Sequence, residues 1–193
     1  MRKLVYFIAV SIDGVIAGPA GEADFYPYAP DMTDHLRSEY PETMPTHVRP
    51  HIGMAADVPN RRYDTVIMGR GTYQPALDEG VASPYAHLRQ YVVSRSLTGV
   101  ADPAVTLVPG DPSALARRLK AEEGGLDVWL CGGADLAGQL LPEIDELVVK
   151  RYPVVAGGGL PMFSGAFGPR DFTPVETLTF SHGGTITTYH PTP

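Results

Sequence analysis

The chain has 193 residues, 44% of them hydrophobic, which is enough to bury one substantial core, so we expect a single domain. Its net charge of −7 argues against nucleic acid or an anionic membrane as the main partner. One cysteine excludes an internal disulfide, and no segment has the roughly 18 apolar residues of a membrane span, so we expect a cytoplasmic protein without a structural metal.

The first element is a buried strand at residues 3–10, because KLVYFIAV is rich in β-branched and aromatic residues and shows no helical period. An irregular, proline-rich insertion follows at about 19–62. Within it only DMTDHLRSEY suits a helix, with Asp31 or Thr33 as its N-cap. A long irregular segment inside a compact domain is typical of a ligand site.

Strands and helices alternate from residue 64 onward. Strands are predicted in DTVIMG, QYVVSR, VTLV, DVWLCGG and DELVVKRYPVV, and short helices in GTYQPAL and ADLAGQLL. The helix in DPSALARRLKAEEGG has the clearest ends, with Asp111 as N-cap, Pro112 at the first helical position and two glycines as the stop. The last two strands form a hairpin around Gly183 and Gly184. This order predicts a mixed α/β sheet.

Three of these strands end in residues that suit phosphate. The sequence VIMGRGTY brings Gly69, Arg70 and Thr72 to a strand end, YVVSR ends in Ser94 and Arg95, and VWLCGG ends in Gly132 and Gly133. Ligands of open α/β sheets gather at the carboxyl ends of strands, and glycines and helix N-termini let main-chain N–H groups reach an anion. Singly, each feature is more often a surface arginine, a helix cap or a tight connection. Their coincidence predicts a ligand with several phosphates.

Ser94 and Arg95 indicate NADPH rather than NADH. A site for the 2′-phosphate offers a cation, whereas a site for the free 2′-hydroxyl commonly offers a carboxylate. The sequence lacks the usual G-x-G-x-x-G, and AGGGLP at 156–161 leads into proline, so we interpret it as a turn. A different dinucleotide fold is therefore required.

Five segments appear in a characteristic order: AVSIDGVIAG (9–18), DTVIMGRGTY (64–73), YVVSR (91–95), WLCGGADLAGQLL (129–141) and IDELVVKRYPVVAGGGLPMF (144–163). Together they resemble the dihydrofolate reductase superfamily, and most closely its branch with the reductase domain of the bifunctional riboflavin-biosynthesis deaminase-reductase and stand-alone bacterial relatives. The resemblance covers almost the whole chain outside 19–62. It implies a three-layer α/β sandwich with about eight mostly parallel strands, NADPH across the strand ends, and a homodimer.

The resemblance also implies the cofactor contacts. Ala9 and Val10 would hold the nicotinamide carboxamide through the backbone, with Ile16 against the ring or ribose. The phosphates and the adenine ribose would be held by residues at the three later strand ends. These are Gly69, Arg70, Thr72, Val93, Ser94, Arg95, Cys131, Gly132, Gly133, Ala134, Asp135 and Leu136. In this superfamily a cis peptide often joins the two glycines.

The substrate end is less defined. In dihydrofolate reductases proper, a carboxylate on the first helix binds the pterin and helps its protonation; here only Asp31 or Asp34 could stand in. Asp13 would lie beside the nicotinamide pocket or pin the turn before Gly14, and Tyr73 would face substrate or pack in the core. No catalytic residue is identified.

Two functions fit this sequence. The first is an NADPH-dependent reductase that transfers a hydride to a C=N or C=C bond of a small heterocyclic substrate, pterin-like or pyrimidine-like. The alternative is a non-catalytic nucleotide- or small-molecule-binding module, because no proton-donating acid aligns. His47 and His51 are four residues apart, but Pro50 opposes the helix that would make them a metal pair.

Overall fold

The computed structural model describes residues 1–192 and centres on one eight-stranded sheet. Its strands are β1 (Leu4–Val10), β3 (Tyr63–Gly69), β4 (Arg89–Val93), β5 (Val105–Val108), β6 (Asp127–Gly132), β7 (Glu146–Arg151), β9 (Phe172–Thr179) and β10 (Thr185–Pro191). Two short strands, β2 (Val15–Ala17) and β8 (Leu160–Pro161), form a second sheet. The order in the large sheet is β5-β4-β3-β6-β1-β7-β10-β9, and β10 runs antiparallel to both of its neighbours.

Helices cover both faces of this sheet. They are α1 (Pro30–Glu39), α2 (Arg70–Asp78), α3 (Pro112–Ala121) and α4 (Ala134–Leu140), with 3-10 turns at Pro41–Thr43, Arg49–Ile52 and Leu141–Glu143. The inward residues of α1 and α2 share one core with Val5 and Phe7, and those of α3 and α4 share another with Leu4 and Tyr6. Alternation along β1 thus separates two apolar layers. The predicted three-layer sandwich with a mostly parallel sheet of eight strands is confirmed.

The helix ends match the sequence in one case and depart from it in another. Asp111 caps α3 as predicted, accepting the Ser113 N–H at 2.8 Å. By contrast, α1 begins at Pro30 after Ala29, so Asp31 and Thr33 are not its cap. Asp31 instead accepts the N–H and the hydroxyl of Ser181 at 2.7 and 3.0 Å, which ties α1 to the β9–β10 turn. Of the described helices, none has the length and apolar character to cross a membrane.

The 19–62 segment is held in place by two buried charged side chains. Glu42 accepts the N–H groups of residues 61–63 at 2.8–3.2 Å. Arg49 donates to three main-chain carbonyls, at 2.9–3.3 Å. Both residues are fully buried. Such buried charges are costly unless they are hydrogen-bonded, so these bonds fix the path of a segment with little regular structure.

The sheet opens between its two central strands. Pairing of β1 with β6 ends at Tyr6 and Leu130, whereas β1 continues beside β7 as far as Val10 and Arg151. The last residues of β1 therefore have no strand on the β6 side. This gap leads into the carboxyl-end cleft described next.

Candidate functional site

One cavity of about 1480 Å³ lies at the carboxyl ends of β3, β4 and β6. It is larger than the roughly 300–1,000 Å³ of pockets for drug-sized ligands, so it suits an extended ligand. Most of the cofactor residues predicted from the sequence line it. They are Ile16, Gly69, Arg70, Thr72, Val93, Ser94, Arg95, Cys131, Gly133, Ala134, Asp135 and Leu136.

Two guanidinium groups give this cleft local positive charge. Arg70 and Arg95 are exposed, and neither pairs with a carboxylate within residues 1–192. Arg70 donates to the Ser96 hydroxyl at 2.7 Å, which ties the start of α2 to the turn after β4. Ser94 is buried, and its hydroxyl accepts the N–H groups of Ser96 and Leu97 at 3.2 and 3.1 Å. Ser94 therefore fixes the turn that carries Arg95.

The helices at the cleft differ in their capping. In the described chain no side chain caps α2 or α4, so the first N–H groups of both helices are free to bind a ligand. The N-terminus of α3 also borders the cavity, but the Asp111 carboxylate satisfies it and adds negative charge. Anion binding is thus favoured at the ends of β3 and β6, where α2 and α4 begin.

The glycine pair after β6 is packed against the end of β3. Gly132 has φ +118°, and the peptide joining it to Gly133 is cis. A Cβ on Gly69 would lie 3.4 Å from the Gly132 oxygen and 3.5 Å from the Gly133 nitrogen. The Thr72 hydroxyl lies 3.6 Å from the Cβ position of Gly133. The main-chain ends of β3 and β6 and the Thr72 hydroxyl therefore meet at one point of the cleft.

At the other end of the cleft, three carbonyl groups converge on one hydroxyl. The Tyr26 hydroxyl lies 3.0 Å from each of the carbonyl oxygens of Ala9, Val15 and Ile16. A phenol has one proton to donate, so this point suits a group with more N–H donors, such as a carboxamide. Val10 cannot contribute its carbonyl, which accepts the Tyr152 N–H at 2.9 Å inside the sheet. The backbone role of Val10 stays a prediction, while Ala9 faces the gap beside β6.

The three residues predicted to bind substrate do not line this cavity. Asp13 accepts the Ser11 hydroxyl at 2.5 Å and the N–H groups of Ala156 and Gly157 at 3.0 and 2.8 Å, bonds that lower its pKa to about 2. Asp13 therefore holds the loop after β7 in place, a role similar to the alternative in which it pins the turn before Gly14. Asp34 is exposed on α1, 3.9 Å from Arg37. Tyr73 is buried in the core and donates to the Ala82 carbonyl at 2.5 Å, which favours the core-packing alternative for it.

The α1 side of the central strands carries an aromatic surface and one lysine that the sequence analysis does not identify. Lys150 of β7 places its ammonium 4.2 Å from the centre of the Phe7 ring. Burial lowers the pKa of Lys150 to about 8 and raises that of the Cys131 thiol to about 12. Tyr40 stacks on Phe7 at 4.6 Å, and Tyr26 packs on Tyr152 at 4.7 Å. The only sequence signal for this site is a lysine that follows the apolar run LVV.

The part of the chain that the structure describes contains no candidate metal site. Residues 1–192 contain no group of three or more histidine, cysteine, aspartate or glutamate side chains placed to hold an ion. His47 instead lies 3.8 Å from Glu79.

Comparison with known proteins identifies related sequences and folds. The family described as RibD C-terminal domain matches residues 2–185. The uncharacterized protein YwjB of Bacillus subtilis (strain 168) is 33% identical over 164 residues, covering 84% of this chain and 83% of YwjB. The crystal structure of a Shewanella sp. PV-4 protein described as a riboflavin biosynthesis protein is also similar. It shares 27% sequence identity with this chain, with a TM-score of 0.74 and 99% coverage of both chains. Dihydrofolate reductase from Enterococcus faecalis, complexed with NADP(H) and RAB-propyl, has 15% identity, a TM-score of 0.65 and coverage of 99% and 97%.

Proposed function

The chain belongs to the RibD C-terminal domain family, and on that premise we propose that it is an NADPH-dependent reductase. Its hydride acceptor is a C=N or C=C bond of a small heterocyclic substrate, pterin-like or pyrimidine-like. The reductase-like fold and the NADP(H) complex of the E. faecalis enzyme support this proposal. The observation that carries it is the convergence of two unpaired arginines and two uncapped helix N-termini on one cleft.

Each part of the cleft suits one part of the cofactor. The first N–H groups of α2 and α4, with the Thr72 hydroxyl, would bind the pyrophosphate. Arg95 would pair with the 2′-phosphate. The carbonyl groups of Ala9 and Ile16 would accept the carboxamide N–H groups once the Tyr26 hydroxyl has moved. When bound, the reduced nicotinamide supplies the hydride, and the protein orients the partners and excludes water.

The test separates NADPH from NADH at a single residue. Arg95→Ala removes the proposed 2′-phosphate contact, so we expect NADPH to bind about 10- to 100-fold more weakly, from the 1.5–3 kcal/mol of a hydrogen bond to a charged group. NADH affinity should change by less than about twofold. Both are measured by energy transfer from Trp129, the only tryptophan, which lies three residues before Gly132.

The matched control is Arg118→Ala, which removes the same charge from an exposed position in the last turn of α3. It should leave the affinities for both nucleotides unchanged. Equal losses for NADPH and NADH in Arg95→Ala would remove the 2′-phosphate assignment. Failure of the parent protein to bind either nucleotide would remove the reductase proposal itself.

One observation favours the second candidate, a binding module without turnover. The two carboxylates of α1 that could serve as an acid are unavailable, since Asp31 is bound to Ser181 and Asp34 is exposed. Loss of NADPH absorbance with dihydrofolate, a ribosylaminopyrimidine and a panel of pterins and flavins distinguishes the two. Cofactor binding without oxidation by any of them would favour the module.

Assembly and location extend this proposal. The homodimer implied by the family resemblance would use a sheet edge, and β9 is an edge strand with most of its residues exposed. Cytoplasmic location stays a prediction from composition. Sedimentation of the purified chain tests the dimer.

A further inference from the structure

The chain has three lysines, and they differ in their partners. Lys3 pairs with Glu146 at 2.9 Å, and Lys120 pairs with Asp145 at 2.8 Å. Lys150 has neither an ion pair nor a hydrogen bond with any residue in 1–192, although the protein carries 22 acidic side chains. A half-buried lysine in an acidic protein usually has an ion pair, so Lys150 requires an explanation.

Lys150 lies at the open end of the sheet, beside the proposed nicotinamide position. It is the cross-strand partner of Ala9, whose carbonyl belongs to the three-carbonyl site, and neighbouring strands are about 4.8 Å apart. Its side chain is half-buried on the α1 face, over the Phe7 ring and close to Cys131, which lines the cleft. The aromatic face holds the ammonium by cation–π attraction but satisfies none of its three N–H donors.

A second unpartnered group lies on the same side of the sheet. Both ring nitrogens of His182 are buried and lack a hydrogen-bond partner in the described chain. Its ring packs edge-on against Tyr152 at 5.9 Å, and Tyr152 follows Lys150 by two residues, which puts the two side chains on one face. Two polar groups left unsatisfied in an aromatic setting point to a ligand that would complete them.

A pocket that recognises a protonated ring needs a carboxylate, whereas the charged group on this side of the sheet is the Lys150 ammonium. No carboxylate of α1 is available to this side, because Asp31 is bound to Ser181, Asp34 faces solvent and Glu39 pairs with Arg61 and Arg62. The inward residues of α1 are Met32 and Leu36, both apolar. The titratable groups on the adjoining elements include His35, Tyr40, Cys131 and His182. The carboxylates of Glu146 and Glu176 lie near Tyr40, but within residues 1–192 neither pairs with Lys150, and Glu146 pairs with Lys3 instead.

We infer that Lys150 is the substrate-recognising cation: its ammonium binds a carbonyl, enolate or other anionic acceptor on the substrate ring. This inference rests on the proposed function and names its substrate class. Rings rich in carbonyl acceptors or carrying a negative charge are selected, and rings with a protonated amidine are rejected by like charge. The lowered pKa of Lys150 agrees with an ammonium whose counter-charge arrives with the ligand.

The test uses two small probes of the same shape: barbiturate, an anion with carbonyl acceptors, and 2,4,6-triaminopyrimidine, which offers amino donors and no carbonyl group. The full chain is prepared with [ε-¹³C]lysine, which gives three resonances, and is saturated with NADP⁺ so that no turnover occurs. Barbiturate should move the Lys150 resonance and raise its titration midpoint by about 0.5–1 pH unit, because a bound anion favours the ammonium. Triaminopyrimidine should move neither. Lys3 and Lys120 are internal controls, and Lys150→Met assigns the third signal.

The variants complete the design. Lys150→Met should bind barbiturate at least 10-fold more weakly and NADP⁺ unchanged, whereas Lys150→Arg keeps most of the barbiturate affinity. A Lys150 resonance that ignores barbiturate in NADP⁺-bound protein, or that responds equally to both probes, would overturn the inference and leave the reductase proposal standing. Loss of NADP⁺ binding in the parent chain would instead count against the reductase.

Discussion

The two ends of the cleft are built in different ways. The proposed phosphate end comes from three short segments, each contiguous in sequence: 69–72, 93–95 and 131–136. The proposed substrate end is assembled from distant residues such as Phe7, Tyr26 and Lys150, carried by separate strands and by the irregular segment. The first end uses main-chain N–H groups and arginines, and the second uses aromatic rings and one ammonium. Short sequence motifs therefore predict the part of a site that is built from contiguous main-chain segments.

The largest effect is expected at the phosphate end, from Gly132→Ala. Gly132 has φ +118°, a conformation that residues with a Cβ rarely adopt, and holding them there costs about 1–3 kcal/mol. The strand end would shift to relieve this strain, so we expect NADPH to bind about 100-fold more weakly. Titration of Gly132→Ala and of the parent protein with NADPH measures the difference in affinity.

Gly99→Ala is the control, since Gly99 has no neighbour within 4 Å of its Cβ position and no positive φ. It should keep the parent affinity. If Gly132→Ala also kept it, main-chain geometry at β6 would not govern the phosphate end.

The fold and the residues that line the cleft could be predicted because their determinants are local. Apolar runs bounded by glycine and proline mark the strands, and Asp111 with Pro112 marks the start of α3. At the phosphate end, Arg70 and Arg95 follow their strands directly, so strand order alone brings them to one edge. Placing these two arginines at that edge requires no knowledge of side-chain orientation.

The substrate end could not be predicted, because its geometry depends on contacts between segments. Tyr73 follows the glycine motif directly, yet it turns into the core to bond Ala82. Asp31 does not cap α1, because its carboxylate accepts the N–H of Ser181, which is 150 residues away along the chain. Glu42 and Arg49 fix the 19–62 segment through main-chain groups that any sequence would offer. Lys150 is significant only because no carboxylate within residues 1–192 pairs with it.

A second prediction tests the substrate end through stability. Below pH 8 both the folded and the unfolded chain hold the Lys150 proton, and the folded state bears the full cost of a buried charge. Between about 8 and the usual value of 10.5 the folded protein releases its proton first, so the free energy of unfolding rises with pH. The rise, reduced by partial exposure, is about 2 kcal/mol.

Lys150→Met has no such proton and should lack this rise. Urea unfolding of both proteins at pH 7, 8.5 and 10 gives the difference, which cancels other groups that titrate in the same range. A parallel pH dependence in the two proteins would mean that the Lys150 ammonium is well solvated, contrary to its setting over Phe7.

The smallest effect is expected where the two ends meet, from Tyr26→Phe. The hydroxyl of Tyr26 occupies the point that the carboxamide would need, and its removal takes a donor away from the Ala9 and Ile16 carbonyl groups in the free protein, while the Val15 carbonyl keeps the Ser11 N–H. One such hydrogen bond is worth about 1 kcal/mol, so we expect NADPH and NADH to bind about fivefold more tightly. Isothermal titration calorimetry measures both.

Two comparisons locate that gain at the nicotinamide. The fragment 2′-phospho-ADP-ribose lacks the nicotinamide, so Tyr26→Phe should not change its affinity, whereas Arg95→Ala should weaken it. Tyr28→Phe is the control, because Tyr28 is 73% exposed. Weaker NADPH binding by Tyr26→Phe would mean that the hydroxyl stays in place and contacts the cofactor. The three carbonyl groups would then be a structural anchor for the 19–62 segment, and the carboxamide would bind elsewhere in the gap between β1 and β6.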